Sequence, residues 1–474
     1  MSTSVPTQPN AAPPALKTGA SSAALRERMK IKLNYDELTN CMRCGFCQPA
    51  CPTFQETGYE AASPRGRIAL MKAVTDGLME PDASFRQQMD LCLGCRACEP
   101  VCPADVKYGQ LLEQTRAVLE EQPEHRWWVR IARQAAFKHV FPSPKRMRLV
   151  GGALKVYQRS GLRALAQASV LKLFPDSMRQ MEAILPPAAS KGVVEQLGSF
   201  YPAKGEAIAT VGMFRGCVMD ILFTETNINT VKLLSEAGFN VVIPEAQQCC
   251  GALHAHSGEL EQAKQLAKQN IAAFKQAQVD YIVSNAGGCG ALLIEYDHLL
   301  HEDAEWSLDA QWFADRVKDV SQIVMEKGRL AALFPPSGQA SAKNTNSAGT
   351  VSSSKLKVTY QDSCHLRNVM RSGNAPRDLI SRTADITFVE LPEADRCCGS
   401  AGIYNLVQPE MSMQILDHKM EHVKHTEAHV LLTSNPGCLL QMKLGAEREN
   451  LSDRLKVMHV VDFLHERLQA SAIK

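Results

Sequence analysis

The sequence predicts a multidomain chain of α+β and α/β class, in which a small helical, cysteine-rich module precedes a duplicated α/β domain. Three observations lead there. Eight cysteines fall in two matching runs between Cys41 and Cys102. The stretch from Val211 to Tyr296 recurs block by block from Val358 to Leu444. In both copies short β-branched runs alternate with amphipathic helical segments, the pattern of largely parallel sheets.

Composition sets the outer bounds. A chain of 474 residues, 45% hydrophobic and 22% charged, has enough apolar material for about two to four domains. A formal charge of +2 supplies no global field for nucleic acid, so no nucleic-acid partner is expected. The first residues are rich in Pro, Ala, Ser and Thr without the apolar stretch of a signal peptide, and no run of about 18 apolar residues could span a bilayer. The expected setting is therefore cytoplasmic. There thiols stay reduced, so 16 cysteines point to metal centres and not to disulfides.

Residues 1–24 lack periodic apolar positions and read as a disordered tail. Residues 25–122 hold the two cysteine runs, separated by a segment around Ile68 to Leu78 with helical apolar spacing. A basic helical connector, broken at Pro123, Pro142 and Pro144, fills 123–205. The two repeat domains are expected at 206–330 and 357–474. Between them, 331–356 is rich in Ser, Ala, Gly, Asn and Lys and reads as a flexible linker.

Both cysteine runs, Cys41-x2-Cys44-x2-Cys47-x3-Cys51-Pro52 and Cys92-x2-Cys95-x2-Cys98-x3-Cys102-Pro103, have the spacing of two-cluster 4Fe–4S ferredoxins. In such a run three thiolates wrap one cube while the fourth ligates the cube of the other run. One 4Fe–4S cluster is therefore expected on Cys41, Cys44, Cys47 and Cys102, and the other on Cys92, Cys95, Cys98 and Cys51. Pro52 and Pro103 turn the chain after each crossing ligand, and Gly45 and Gly94 permit close backbone approach. Structural zinc favours two separated C-x2-C pairs, a spacing these runs lack.

Every other cysteine falls in one of two further quartets, Cys217, Cys249, Cys250 and Cys289, then Cys364, Cys397, Cys398 and Cys438. Each quartet sits on matched blocks: Met213 to Cys217 answers Thr359 to Cys364, Ile243 to Gly251 answers Leu391 to Gly399, and Ser284 to Cys289 answers Ser434 to Cys438. Packing has no need of fixed cysteine separations, so metal ligation is the stronger reading. Adjacent cysteines serve different irons of a cluster more easily than one ion, which favours further iron–sulfur clusters; zinc and a metal-free redox thiol site stay open. His254, His256 and His365 lie near these cysteines and are candidates for ligation or proton relay, but remain outside the ligand set.

Two ferredoxin runs followed by a duplicated Cys-Cys-Gly domain resemble the family that includes glycolate oxidase iron–sulfur subunits, lactate-utilisation iron–sulfur proteins, anaerobic glycerol-3-phosphate dehydrogenase C subunits and heterodisulfide reductase subunits. Cys44-Gly45-Phe46-Cys47, Ser63-Pro64-Arg65-Gly66-Arg67-Ile68, Cys249-Cys250-Gly251-Ala252 and Cys397-Cys398-Gly399-Ser400-Ala401-Gly402 are most similar to the glycolate oxidase branch. The resemblance implies an electron-transfer subunit that receives electrons from FAD-bearing partner subunits oxidising glycolate to glyoxylate, in a hetero-oligomer, and delivers them to a quinone or other acceptor. It also admits a lactate or glycerol-3-phosphate dehydrogenase complex, or heterodisulfide-type thiol redox chemistry. Against the last, neither repeat has the fifth cysteine of a closing C-x2-C: Ala286 and Leu292 flank Cys289 at that distance, and Asn435 and Gln441 flank Cys438. No G-x-G-x-x-G follows a strand, so FAD is expected on partner chains only and no catalytic residue is assigned here.

One charge asymmetry stands apart. His125 to Pro175 contains 11 Lys and Arg residues and no Asp or Glu. With Trp127, Trp128, Phe137, Val140, Phe141 and Leu149 it suits either peripheral attachment to the inner face of the cell membrane or docking on acidic partner subunits.

Overall fold

The computed structural model describes residues 20–122, 126–169, 172, 176–334 and 355–473. The expected tail up to residue 19, and residues 335–354 of the linker expected at 331–356, lie outside the described residues; at the ends of that range, helix Leu330–Leu333 and a strand from Leu356 replace linker, with Leu333 buried. Residues 20–24, assigned to the tail from sequence, instead open the helix Ala20–Lys32. Its Leu25 and Met29 are buried, and burial of this face, absent from a purely local reading of a Ser/Ala-rich stretch, is what extends the helix backwards.

The N-terminal module is helical. Helices Ala20–Lys32, Tyr35–Asn40, Pro52–Thr57, Pro64–Thr75, Ala83–Asp90 and Tyr108–Glu121 enclose a core of Met29, Leu38, Met71, Val74, Phe85 and Leu111. Caps set their starts: Asn34 accepts from the Glu37 amide, Ser63 from Gly66 and Asp82 from Phe85. Pro52 and Pro64 each occupy the first helical turn, where no amide partner is needed.

Two parallel sheets follow. The first orders its strands β1 (Phe200–Tyr201), β3 (Phe239–Val242), β2 (Ala209–Phe214), β4 (Tyr281–Ser284) and β5 (Val317–Asp319); only β1 runs antiparallel. The second orders β7 (Ile386–Phe388), β6 (Leu356–Tyr360), β8 (Val430–Thr433) and β9 (Lys456–His459), all parallel. With β1 set aside the two orders are identical, so the repeat seen in sequence is a repeat of topology. β1 lies before residue 206, where the domain was expected to begin, and a two-residue strand carries too little pattern to be found from sequence.

The two halves share one core. Val211, Met213 and Val283 of the first sheet, and Val358, Tyr360 and Leu432 of the second, belong to the same cluster of buried side chains. Helix Thr224–Glu236 packs on helix Val460–Ile473, and helix Val320–Lys327 on Asn374–Ser381. Asp462 accepts from Thr226 Oγ1 at 2.7 Å and from Asn229 Nδ2 at 2.9 Å. His459 Nε2 lies 2.9 Å from the Asn285 carbonyl. Across the seam the Gly287 amide donates to Ser434 O at 3.1 Å and the Gly288 amide to Asn435 Oδ1 at 3.0 Å.

Helices Trp127–Gln134, Pro144–Arg159 and Leu162–Ala168 form the connector. No helix among the described residues is long and apolar enough to cross a membrane.

The seam yields a test. A Cβ on Gly287 would stand 2.3 Å from Ser363 Oγ and 3.0 Å from Leu366 Cβ. Gly287→Ala is expected to cost about 1–3 kcal/mol by overpacking, seen as a lower thermal midpoint and faster proteolysis.

Candidate functional site: four cysteine groups

The cysteine positions follow from the topology. In each sheet the strand order reverses at the central strand, and the loops leaving the carboxyl ends of the strands beside that switch point bound a crevice. Cys217 follows β2, Cys249 and Cys250 follow β3, and Cys289 follows β4; Cys364, Cys397 with Cys398, and Cys438 follow β6, β7 and β8 in the same way. Three separate loops thus bring each quartet together.

The residue after each central strand fastens the Cys-Cys-Gly loop. In the first half Gln247 accepts from the Arg215 amide at 2.9 Å and donates to Met213 O at 3.1 Å. In the second, Gln361 Nε2 donates to Ala394 O at 3.0 Å and Arg396 O at 3.1 Å. The Cys-Cys-Gly glycine has left-handed φ in both, 88° at Gly251 and 90° at Gly399, a conformation that favours glycine. At Gly399 a Cβ would also meet Ser412 O at 2.6 Å.

Within the first quartet Cys217 Sγ lies 3.5 Å from Cys249 Sγ, and side-chain contacts continue from Cys249 to Cys250 and from Cys250 to Cys289. The second quartet repeats this from Cys364 through Cys397 and Cys398 to Cys438. All 16 cysteines are free of disulfides. The hydrogen bond from Cys217 to Cys249, then burial, pushes the Cys217 thiol well up, and Cys364 is raised the same way beside Cys397. Such thiols give up protons together only when cations take their place. Successive sulfur neighbours drawn from three loops give each quartet the soft thiolate donors that both iron–sulfur clusters and zinc take.

In the N-terminal module Cys41, Cys44, Cys47, Cys98 and Cys102 line one cavity, with Phe46, Ile68 and Val106 among its apolar walls. Cys44 is exposed, with Met42 and Phe46 beside it, 64% and 65% exposed. The other group is interior: Cys51, Cys92, Cys95 and Cys98 are buried, and the charge of Cys51 is felt at both Cys95 and Cys98. Both runs kink at their second cysteine. Gly45 and Gly94 take φ of 92° and 64°, but so do Arg43 at 55° and Arg96 at 58°, so left-handed residues flank Cys44 and Cys95 on both sides. Sequence alone marks only the glycines.

Electrostatics separates the buried sulfurs. Burial pushes Cys95 and Cys98 well above the ordinary thiol value. Burial opposes the charge of Cys92 too, but Arg67, Arg116 and the Tyr108 hydroxyl, 3.4 Å from Sγ, hold it below that value. Arg67 is fully buried, donates to Gln88 O at 2.7 Å and Thr53 Oγ1 at 3.1 Å, and keeps its charge against burial through Cys92, Tyr108 and Cys51. Arg67 and Tyr108 carry no ligand signature, so spacing arguments miss them.

The second run touches the second quartet. Cys95 and Leu93 share a buried cluster with Cys397, against which Cys364 packs. Asn368 Nδ2 donates to Cys95 O at 3.0 Å, Tyr404 OH to Leu91 O at 2.9 Å, and His365 Nε2 lies 3.0 Å from Gly94 O. Burial pushes His365 down to about 3, so the neutral ring serves as donor there. His256 Nδ1 bonds Glu113 at 2.9 Å, and this hydrogen bond, working against burial, holds the Glu113 carboxyl below its usual value. His254 Nε2 lies 2.8 Å from Phe137 O with its ring edge-on to Phe137. The three histidines thus join domains.

The arrangement matches known families along its length. The model "4Fe-4S dicluster domain" matches residues 37–106, "Cysteine-rich domain" matches 211–294 and 358–443, and "Glycolate oxidase iron-sulfur subunit, linker region" matches 128–185. The chain is 48% identical over 444 residues to the "Probable glycolate oxidase iron-sulfur subunit" of Bacillus subtilis (strain 168), covering 93% of this chain and 96% of that one. It belongs to the glycolate oxidase iron–sulfur subunit family. Another relative, the "Glycolate oxidase iron-sulfur subunit" of Escherichia coli (strain K12), is 28% identical over 438 residues, covering 91% of this chain and 94% of its own. "Lactate utilization protein A" of Geobacillus kaustophilus (strain HTA426) is 32% identical over 257 residues, 54% of this chain and 99% of the relative. The linker match falls within the basic connector.

The position of Cys51 generates a test. Cys51→Ser is expected to damage the iron centre of Cys92, Cys95 and Cys98 and to spare that of Cys41, Cys44, Cys47 and Cys102, as read by low-temperature EPR of the reduced chain. Damage confined to the Cys41 group would refute crossed ligation.

Proposed function

We propose that this chain is the electron-carrying subunit of a flavin-dependent glycolate oxidase complex, fed by FAD on partner subunits and emptied to a quinone or another acceptor. The observation that carries this reading is the packing of Cys95 against Cys397 and Cys364, which puts two cysteine groups of different domains in one buried cluster. When bound, 4Fe–4S clusters accept and release single electrons. Cys41, Cys44, Cys47 and Cys102 hold one, and Cys92, Cys95, Cys98 and Cys51 the other. The two quartets of the repeat hold further iron–sulfur centres, a choice supported by the adjacent cysteines at the centre of each, which serve different irons of a cluster more easily than one ion.

The chain's own groups have separate tasks. Exposed Cys44, Met42 and Phe46 present the first group to a partner. Arg67 and Arg116 offset the negative charge of the buried second group, and hydrogen bonds to sulfur from Tyr108 and from the Gly94 amide, both 3.4 Å from Cys92, raise the ease of reduction. Oxidation of the 2-hydroxyacid belongs to the flavin-bearing partner.

Co-purification of the complex tests this. The chain alone, anaerobically isolated and free of flavin, is expected to hold more than about eight iron atoms and to show no glycolate turnover. With its partners, glycolate should bleach the iron–sulfur absorption, and a panel including lactate and glycerol 3-phosphate identifies the preferred substrate. Turnover by the flavin-free chain would refute the division of labour.

The connector supports peripheral membrane attachment, in modified form. Phe137, placed among the lipid-facing residues from sequence, is 3% exposed and packs on His254, because the helix docks on the first repeat domain. Arg133 is likewise spent on Glu120 and Glu259 at 3.2 and 3.5 Å. Trp127, Trp128, Ile131 and Leu149 stay exposed beside Arg126, Arg130 and Lys138. Changing those three basic residues to Gln is expected to weaken sedimentation with anionic vesicles, most at low salt, since each contributes about 1 kcal/mol near such a surface. Unchanged vesicle binding with loss of the flavin subunits would make this face a subunit-docking surface.

A further inference from the structure

Away from the cysteines, Glu393, His418 and His422 bring one ligand atom each to within 4.8 Å of one another. His418 and His422 are one turn apart on helix Pro409–Thr426, so their rings leave the same face, with centroids 5.4 Å apart. Glu393 comes from the loop between β7 and Cys397, where it takes a left-handed φ of 50° and its carbonyl accepts from Lys419 Nζ. Glu393 Oε2 lies 3.7 Å from His422 Nε2 and 3.9 Å from His418 Nε2. Ligand bonds of about 2.0–2.2 Å in a tetrahedron place donor atoms about 3.4 Å apart, so small rotations close this triad on one ion.

Two further details point to a ligand. His422 Nε2 is buried without a hydrogen-bond partner, although it faces the carboxylate. Behind His418, the ring nitrogen Nδ1 faces Glu56 Oε1 at 3.6 Å, so a small ring rotation gives it the carboxylate partner that orients a metal-bound imidazole. Arg396 Nη1 sits 3.1 Å from Glu393 Oε2 and 3.3 Å from His418 Nε2, so a guanidinium already bridges two of the donors. Its other nitrogen pairs with Glu56, which gives Arg396 a place to remain when an ion enters.

We propose that Glu393, His418 and His422 form a site for a divalent transition cation, zinc being the ion this donor set fits best, with water completing the tetrahedron. The ion ties the loop that carries Cys397 and Cys398 to the helix beneath it. Through Glu56, on helix Pro52–Thr57, it also ties that loop to the cysteine-rich module. The site is separate from the sulfur centres in donor type and in role: it binds and positions, and transfers no electrons.

The experiment uses the full chain with its iron in place, washed with chelator under anaerobic conditions and titrated with zinc chloride. Zinc and iron are counted, and X-ray absorption at the zinc edge reports the neighbours. The expected result is one zinc bound through nitrogen and oxygen at about 2.0–2.2 Å, without sulfur at about 2.3 Å. His418→Gln with His422→Gln should abolish that equivalent at unchanged iron content, and Glu393→Gln, a change at a 43% exposed side chain, should weaken it at least about tenfold. Zinc uptake equal in wild type and both variants, or a zinc spectrum of sulfur neighbours alone, overturns the site.

Discussion

Burying sulfur charge is the constraint on which this structure depends. A thiolate out of water must find a cation or many hydrogen bonds, or it stays protonated. Here the answer differs from group to group. Cys92 has Arg67, Arg116 and Tyr108 around it and is held below the ordinary thiol value, whereas Cys95 and Cys98, in the same run, are pushed well above it. Arg67 is the hinge of the difference: an arginine with no exposed surface is tolerable only beside anions, and the core around it is organised to supply them.

That constraint explains why two nearly identical halves are used unequally. Both offer a crevice at the carboxyl ends of the central strands, and both fasten the Cys-Cys-Gly loop through the residue after the central strand. Yet the second cysteine run docks with Cys95 on the second half, through Asn368, Tyr404 and His365, while the first half meets the module through polar groups, Arg96 with Glu295 and His256 with Glu113. Charge pairs reach the module from both halves, Arg396 with Glu56 on the second included, and the sulfur contact of Cys95 with Cys397 belongs to the second half alone among the described residues.

Much of this was legible in sequence wherever the information is local. Fixed cysteine spacings mark the two runs, and the recurrence of whole blocks around Cys249-Cys250-Gly251 and Cys397-Cys398-Gly399 marks the repeat. What escaped depends on partners far along the chain. Arg43 and Arg96 adopt left-handed backbone although their side chains do not favour it, because the loop geometry imposes it. Phe137 looked free to face lipid because its amphipathic helix does not say which body lies beneath it; His254 does, from over a hundred positions away. β1 escaped because two residues paired to β3 have no pattern of their own.

The shared core has a consequence for synthesis. Helix Thr224–Glu236 buries its apolar face against helix Val460–Ile473, more than 200 residues later in the sequence. At about 5–20 residues per second, the ribosome leaves the earlier surface waiting on the order of 10–50 s for its mate. For that interval the first half is a nascent body with an open apolar flank, which must stay apart from other exposed apolar surfaces until the second half is made.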